Sequence, residues 1–195
     1  FCTGWASHGC FAMNGQENCV IRLEGFTILD PCTKRPLPAA ELSVQATEVV
    51  VLLGLDKTRT NSYLRHMAAI ESPEAGELWH MGVSTRTMDR LAYKELRSRT
   101  GYVIGESLLL PIYSGLMNVM LPALYHYPEK TFGKVSGFAR TLLEELECDF
   151  DVLLMPHQMS RLQQRQIQLA RSLILEPDVM FLEDPFHQLT TEEIK

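Results

Sequence analysis

Residues 170–186 read ARSLILEPDVMFLEDPF, and this stretch decides the fold. Apolar Ile167, Leu169, Ala170, Leu173 and Ile174 recur at helical spacing and predict a helix beginning near Ser160. The helix must stop before Pro177, whose ring pushes the preceding residue out of helical geometry. Val179, Met180, Phe181 and Leu182 then form an unbroken apolar run, which suits a strand buried on both faces of a parallel sheet. The strand ends in two carboxylates, Glu183 and Asp184.

Further toward the amino terminus, Val49 to Leu53 make a second apolar run, ending at Gly54. A polar turn from Leu55 to Asn61 follows, and then Tyr63, Leu64, Met67, Ala68 and Ile70 at helical spacing. Strand, turn and helix in that order form the unit at which α/β proteins place anions. Val20 to Leu29, Leu42 to Gln45, Glu77 to Met81 and Tyr102 to Ile104 read as short strands. Asp89 to Arg99 reads as a polar helix, and Phe138, Leu142, Leu143 and Leu146 mark an amphipathic one. The expected organisation is an extension over 1–19, an α/β core from 20–105 and 164–195, and a helical subdomain over 106–163.

With 195 residues, 46% of them hydrophobic, the chain can bury a substantial core, which excludes a disordered or collagen-like protein. Lys plus Arg number 18 against 24 Asp plus Glu, a net charge of −6, so no nucleic-acid partner is expected. The five cysteines form no CxxC pair; reduced thiols are expected rather than a zinc site built from Cys2, Cys10, Cys19 and Cys32 with His8 as an extra ligand. A start at Phe1 rather than Met raises the expectation of a longer parent chain. Ser107 to Tyr127 contains no Asp, Glu, Lys or Arg, yet Pro111, Ser114, Gly115, Asn118 and Pro122 interrupt it. It reads as a buried or partner-facing surface rather than a membrane span.

From about Val20 onward, this order of elements resembles the ATP-binding subunit of ABC transporters. Residues 170–186 are similar to the family stretch ARALLLEPDLLLLDEPF, GYVIGESLLLP (101–111) to GYVFQEPLLFP, and ESPEAGEL (71–78) to the segment after the phosphate-loop helix. SLLLPIYSGLMNVMLPALYH (107–126) is similar to the corresponding stretch of Mla-type phospholipid-trafficking subunits and related lipoprotein exporters. The resemblance implies a P-loop NTPase (RecA-like) α/β core with a mainly parallel sheet, antiparallel strands on the amino-terminal side and an inserted helical subdomain. It also implies a cytoplasmic subunit, peripheral on the inner face of a membrane, that pairs with a membrane-spanning subunit and forms a homodimer or heterodimer. Leu108, Leu109, Leu110, Tyr113 and Met117 are the residues that would dock on that partner.

The same resemblance exposes departures. The family loop GxxGxGK[ST] is matched by GLDKTRTNS: Gly54 keeps the first glycine, Lys57 and Arg59 replace the next two, Thr60 replaces the lysine and Asn61 the metal-binding hydroxyl, with Ser62 beside it. Glycines there let successive amides turn onto phosphates, a conformation that side chains resist. Gly105 stands for the Gln-loop glutamine, with Glu106 next to it, and MSRLQ (159–163) for LSGGQ, keeping Ser160 and Gln163 but neither glycine. The Walker B pair is inverted, with Glu183 at the magnesium position and Asp184 at the base position, one methylene shorter by roughly 1.5 Å. Thr190 replaces the D-loop aspartate, and neither His157 nor His187 stands at the switch-histidine position. The resulting expectation is a pseudo-ATPase that binds and scaffolds in a membrane complex, with lipid transport among its candidate roles, and takes no cofactor. The alternative is a working ATPase using ATP and magnesium, with Glu183 at the metal, Asp184 as base and Lys57 or Arg59 as phosphate cation. A soluble adaptor without a membrane partner is a second alternative.

Overall fold

The computed structural model describes residues 18–54, 56–106 and 108–192. It falls into two compact units, Phe1–Arg97 and Ser98–Lys195, each treated by itself below. Most of the expected 1–19 extension, with Cys2, Cys10 and His8, lies outside the described residues, as do Leu55 and Ser107. The three described cysteines, Cys19, Cys32 and Cys148, are free thiols.

In the first unit, strand β1 (Cys19–Thr27) pairs antiparallel with β2 (Ala40–Gln45) on one edge and β3 (Ala75–His80) on the other; β4 (Val83–Ser84) completes the order β2-β1-β3-β4. Cys19, Ile21 and Leu23 point inward by alternation, and then the inward phase moves by one residue to Phe26 and Ile28. A register shift between Leu23 and Phe26 produces this change, since one extra residue flips the faces of everything after it. The backbones of Gly25 and Gly76 meet at the shift, where a Cβ on Gly76 would lie 2.2 Å from the Gly25 carbonyl oxygen, so only glycine fits. Helix α1 (Lys57–Met67) buries Met67, and α2 (Arg90–Ser98) buries Leu96. Tyr93 and Arg97 donate to the carbonyls of Ala69 and Ala68, tying α2 to the end of α1.

One expectation is corrected here. Residues 49–53 do not form a strand: Val49, Val51 and Leu53 are 89%, 70% and 92% exposed, and the four-stranded sheet of the first unit does not include them. An apolar run becomes a strand only where it meets a hydrogen-bonding partner, and these residues pair with no strand of the order β2-β1-β3-β4.

In the second unit, β5 (Thr100–Val103) pairs in parallel with β6 (Val179–Leu182), Tyr102 opposite Phe181. Helices α3 (Gly115–His126), α4 (Phe132–Glu145) and α5 (Arg161–Leu173) pack together through Val119, Met120, Val135, Ala139, Ile167 and Ala170, all fully buried. Ile167, Ala170 and Ile174 recur at i, i+3 and i+7, the buried stripe that the opening stretch predicts. Helix α3 answers the uncharged stretch: Leu116, Val119, Met120 and Ala123 are buried on one face, and Ser114 caps it by accepting the Met117 amide at 3.3 Å. Pro122 lies inside the helix and cannot donate the helical bond to residue 118. Among the described residues, no helix is long and apolar enough to cross a membrane.

Candidate functional site

Asp56 caps α1. Its carboxylate accepts the amide of Thr58 at 2.9 Å and that of Arg59 at 3.4 Å, and its carbonyl accepts the Thr60 hydroxyl at 3.2 Å. Lys57 and Arg59 belong to the first helical turn, and neither has a positive φ. Arg59 bridges two acids, reaching Asp30 at 2.7 Å and Asp56 at 3.3 Å. Asp30 is buried and also accepts the amides of Cys32 and Thr33, both at 2.8 Å. The Thr33 amide above all, with the Cys32 amide and the Arg59 guanidinium, holds the Asp30 carboxyl below its usual range, against the opposing effect of burial. A Cβ on Gly54 would lie 2.4 Å from the Thr60 hydroxyl, so a larger residue there would have to turn that hydroxyl away from the Asp56 carbonyl. Asn61 is half-buried; Ser62 is buried, and its carbonyl accepts from His66 Nδ1 at 2.7 Å. Beside this turn, Leu23, Leu42, Leu53, Arg59 and Tyr63 line a cavity of about 520 Å³ within the first unit.

In the second unit, β6 delivers Glu183 and Asp184. The Glu183 amide donates to Val103 at 2.8 Å, and its carboxylate, 3% exposed as a residue, accepts the Tyr102 hydroxyl at 2.7 Å. Asp184 adopts a left-handed φ of 44°, which Asp tolerates better than most residues, and its carboxylate lies 3.0 Å from His187 Nδ1. Gly105 packs against this pair: a Cβ there would be 3.1 Å from the Glu183 carbonyl oxygen and 3.3 Å from Asp184 Cβ, so a glutamine would push these neighbours by a few tenths of an ångström.

Helix α5 begins with a reciprocal cap. Ser160 accepts the Gln163 amide at 3.2 Å while the Gln163 side chain accepts the Ser160 amide at 2.8 Å. Its next polar side chains hold the segment after β5: Arg165 donates to the carbonyls of Ile104 (2.7 Å), Gly105 and His187 (3.3 Å), Gln168 to those of Ile104 (3.0 Å) and Glu106 (3.3 Å), and Arg171 to Leu108 (2.9 Å). Burial lowers the Arg165 pKa, and the carboxylates of Asp184 and Glu106 oppose that shift. Asn118, fully buried, accepts the Leu110 amide at 2.7 Å and donates to the carbonyls of Leu110, Tyr113 and Ser114. The stretch it staples exposes Leu108 (53%) and Leu110 (43%), leaves Tyr113 and Met117 half-buried, and buries Leu109.

The structure thus brings Gly105, Glu183 and Asp184 together in one unit, and the expected phosphate-loop residues, 54 and 57–62, belong to the other. Sequence reasoning missed Asp56, Tyr102, Gln168 and Asn118 as organising residues. Asp56 had a local signal, an acid one residue before a helix start. The others act across 8 to 81 residues of chain, a separation no local pattern reports.

A model of the ABC transporter family matches residues 37–187. The chain belongs to that family. The cassette is 30% identical over 150 residues to the lipoprotein-releasing system ATP-binding protein LolD of Myxococcus xanthus (strain DK1622), covering 76% of this chain and 66% of the relative. It is 31% identical over 150 residues to the uncharacterized ABC transporter ATP-binding protein YbbA of Escherichia coli (strain K12), covering 76% and 65%. The cassette therefore spans just under two thirds of the length of these relatives. Among solved structures, the dimeric cassette MJ0796 bound to ADP and Pi superposes with a TM-score of 0.78 at 22% identity, over 89% of this chain and 77% of that one. CbiO1 of Clostridium perfringens, part of the ABC transporter complex cbiONQ, gives 0.75 at 17% identity, over 91% and 70%. The fold is that of a P-loop NTPase cassette.

The expectation that the chain takes no cofactor is corrected by this membership, since the matched relatives are ATP-binding proteins by name. The residues present accommodate such a ligand chemically. The first amides of α1 already hold an anionic oxygen, which is what a phosphate presents, and Arg59 supplies a cation in the same cluster. Magnesium takes oxygen donors, and Glu183 offers a carboxylate fixed by its neighbours. Among the described residues no group of three or more His, Cys, Asp or Glu could hold a metal ion.

Proposed function

We propose that this cassette is the ATP-binding subunit of a membrane transport complex of the lipoprotein-releasing kind, and that it binds Mg·ATP but hydrolyses it slowly or not at all. On this reading it is a pseudo-ATPase that acts as a binding or scaffolding component. It lies on the cytoplasmic face, docks on a membrane-spanning subunit through Leu108, Leu110, Tyr113 and Met117, and dimerises with itself or another cassette. The likeness to LolD supports the class of complex, and the likeness to YbbA supports an ABC transporter ATP-binding subunit.

The observation that carries the slow-turnover part is the Asp56 carboxylate on the first amides of α1. An incoming phosphate must displace a like charge there, and Thr60 offers no cation in place of the family's lysine. Bound Mg·ATP would supply the phosphoanhydride; this chain's residues would bind and orient it. Asp184, shorter than a glutamate and paired with His187, is poorly placed to take a proton from water.

Titration with a fluorescent ATP analogue and magnesium, together with phosphate-release kinetics, tests the proposal. Saturable binding with turnover far below about 1 per second is expected. Turnover at an ordinary enzyme rate would refute the pseudo-ATPase reading, and absence of binding would refute nucleotide recognition. The fixed Glu183 carboxylate favours a second reading, a working ATPase, in which Asp184→Asn abolishes turnover.

A further inference from the structure

We infer that Tyr102 is a positioning residue for magnesium: its hydroxyl holds Glu183 in the orientation from which that carboxylate serves the metal of a bound nucleotide. The inference rests on the nucleotide-binding reading above and deepens it by assigning a role to the tyrosine of the stretch GYVIGESLLLP (101–111).

The geometry follows from strand register. Tyr102 lies opposite Phe181 in the parallel β5/β6 pair, and Glu183, two residues further on, projects from the same face. Such a diagonal neighbour is within reach of a tyrosine, and the hydroxyl meets Glu183 Oε2 at 2.7 Å. The Tyr102 ring is itself stacked on Phe181, with centroids 6.3 Å apart and planes at 28°. The Glu183 backbone is pinned by its N–H donating to the Val103 carbonyl, so the side-chain torsions are the freedom left to the carboxylate. A glutamate in place of the family's aspartate has one more such torsion, and each loose torsion spreads the positions a ligand oxygen occupies. A hydroxyl bound to one carboxylate oxygen removes that spread. The residue is 3% exposed, so water is a poor substitute for this bond. Tyr102 and the glutamate therefore act as a pair, the longer acid being usable because a hydroxyl restrains it.

The experiment uses the full chain, magnesium and a fluorescent ATP analogue, with affinity measured across a magnesium series and in EDTA. Tyr102→Phe keeps the ring on Phe181 and removes only the hydroxyl. The magnesium concentration for half-maximal binding should rise about tenfold, the scale of one lost charge-assisted hydrogen bond, while affinity in EDTA stays at the wild-type value. Glu183→Asp withdraws the carboxylate from the hydroxyl, and on that background Tyr102→Phe should add nothing. An unchanged magnesium requirement in Tyr102→Phe, equal weakening in EDTA, or a full additional effect in the Glu183→Asp background would each overturn the inference. If the wild-type chain itself fails to bind the analogue with magnesium, the nucleotide reading falls and takes this one with it. If the wild type binds and Tyr102→Phe matches it, only the role of Tyr102 falls.

Discussion

Helices α1 and α5 begin in opposite ways. The first amides of α1 are held by a charged cap, Asp56, inside a cluster with Arg59 and Asp30, whereas those of α5 are held by the neutral pair Ser160 and Gln163. The contrast extends inward: the first unit buries Asp30 and His80, and the helices of the second are stapled by the carboxamides of Asn118 and Gln168. A charged cap stabilises its helix and also competes with any anion that approaches; a neutral reciprocal cap only stabilises. The first unit should therefore respond to pH and anions where the helical part of the second responds to the loss of hydrogen bonds.

The largest effect should come from Asn118→Ala, which strands the Leu110 amide and three carbonyls in a buried place. A loss of roughly 3–4 kcal/mol is expected by urea unfolding, with little dependence on pH. A loss under 1 kcal/mol would mean that water replaces the staple.

Acid comes next. Burial, opposed by the bond to the Met67 carbonyl and assisted by the Arg97 charge, pushes the His80 pKa down from 6.5 to about 4. The unfolded chain binds the proton more readily, so this contribution is complete above about pH 6.5 and disappears as pH falls toward 4, by about 3 kcal/mol in all. Urea midpoints followed by Trp79 fluorescence in a Trp5→Phe background between pH 7 and 4.5 measure it; a flat profile would remove the pH half of the comparison.

Smaller effects separate the two caps. Ser160→Ala should lower stability by about 1 kcal/mol and leave the nucleotide affinity of the isolated chain unchanged. Asp56→Asn retains a capping oxygen without the charge; it should tighten ATP-analogue binding roughly two- to fivefold while changing stability by under about 1 kcal/mol. Equal responses of the two variants in both assays would erase the distinction between the helix starts.

Much of this architecture is legible in the chain itself. The α5 stripe, the break before Pro177, strand β6 and its two terminal acids follow from periodicity and from the geometry that proline forbids. Helix α3 had a readable signal in Ser114 followed by buried Leu116, Val119, Met120 and Ala123, and its lack of charge drew attention to its surface instead. The apolar run at 49–53 was misread because apolarity reports a preference for burial and says nothing about whether an edge strand is available.

What the sequence by itself determined is the family, the buried stripe of α5 and strand β6 with its two terminal acids, since these depend on neighbours within a few residues or on a motif. Only the tertiary structure decided that Asp56 and Asp30 share one guanidinium, that Tyr102 holds Glu183, and that Asn118 and Gln168 satisfy backbone groups of distant loops. Hydrogen bonds depend on distance and direction in space, and residues far apart in the chain acquire both only when strands and helices have packed.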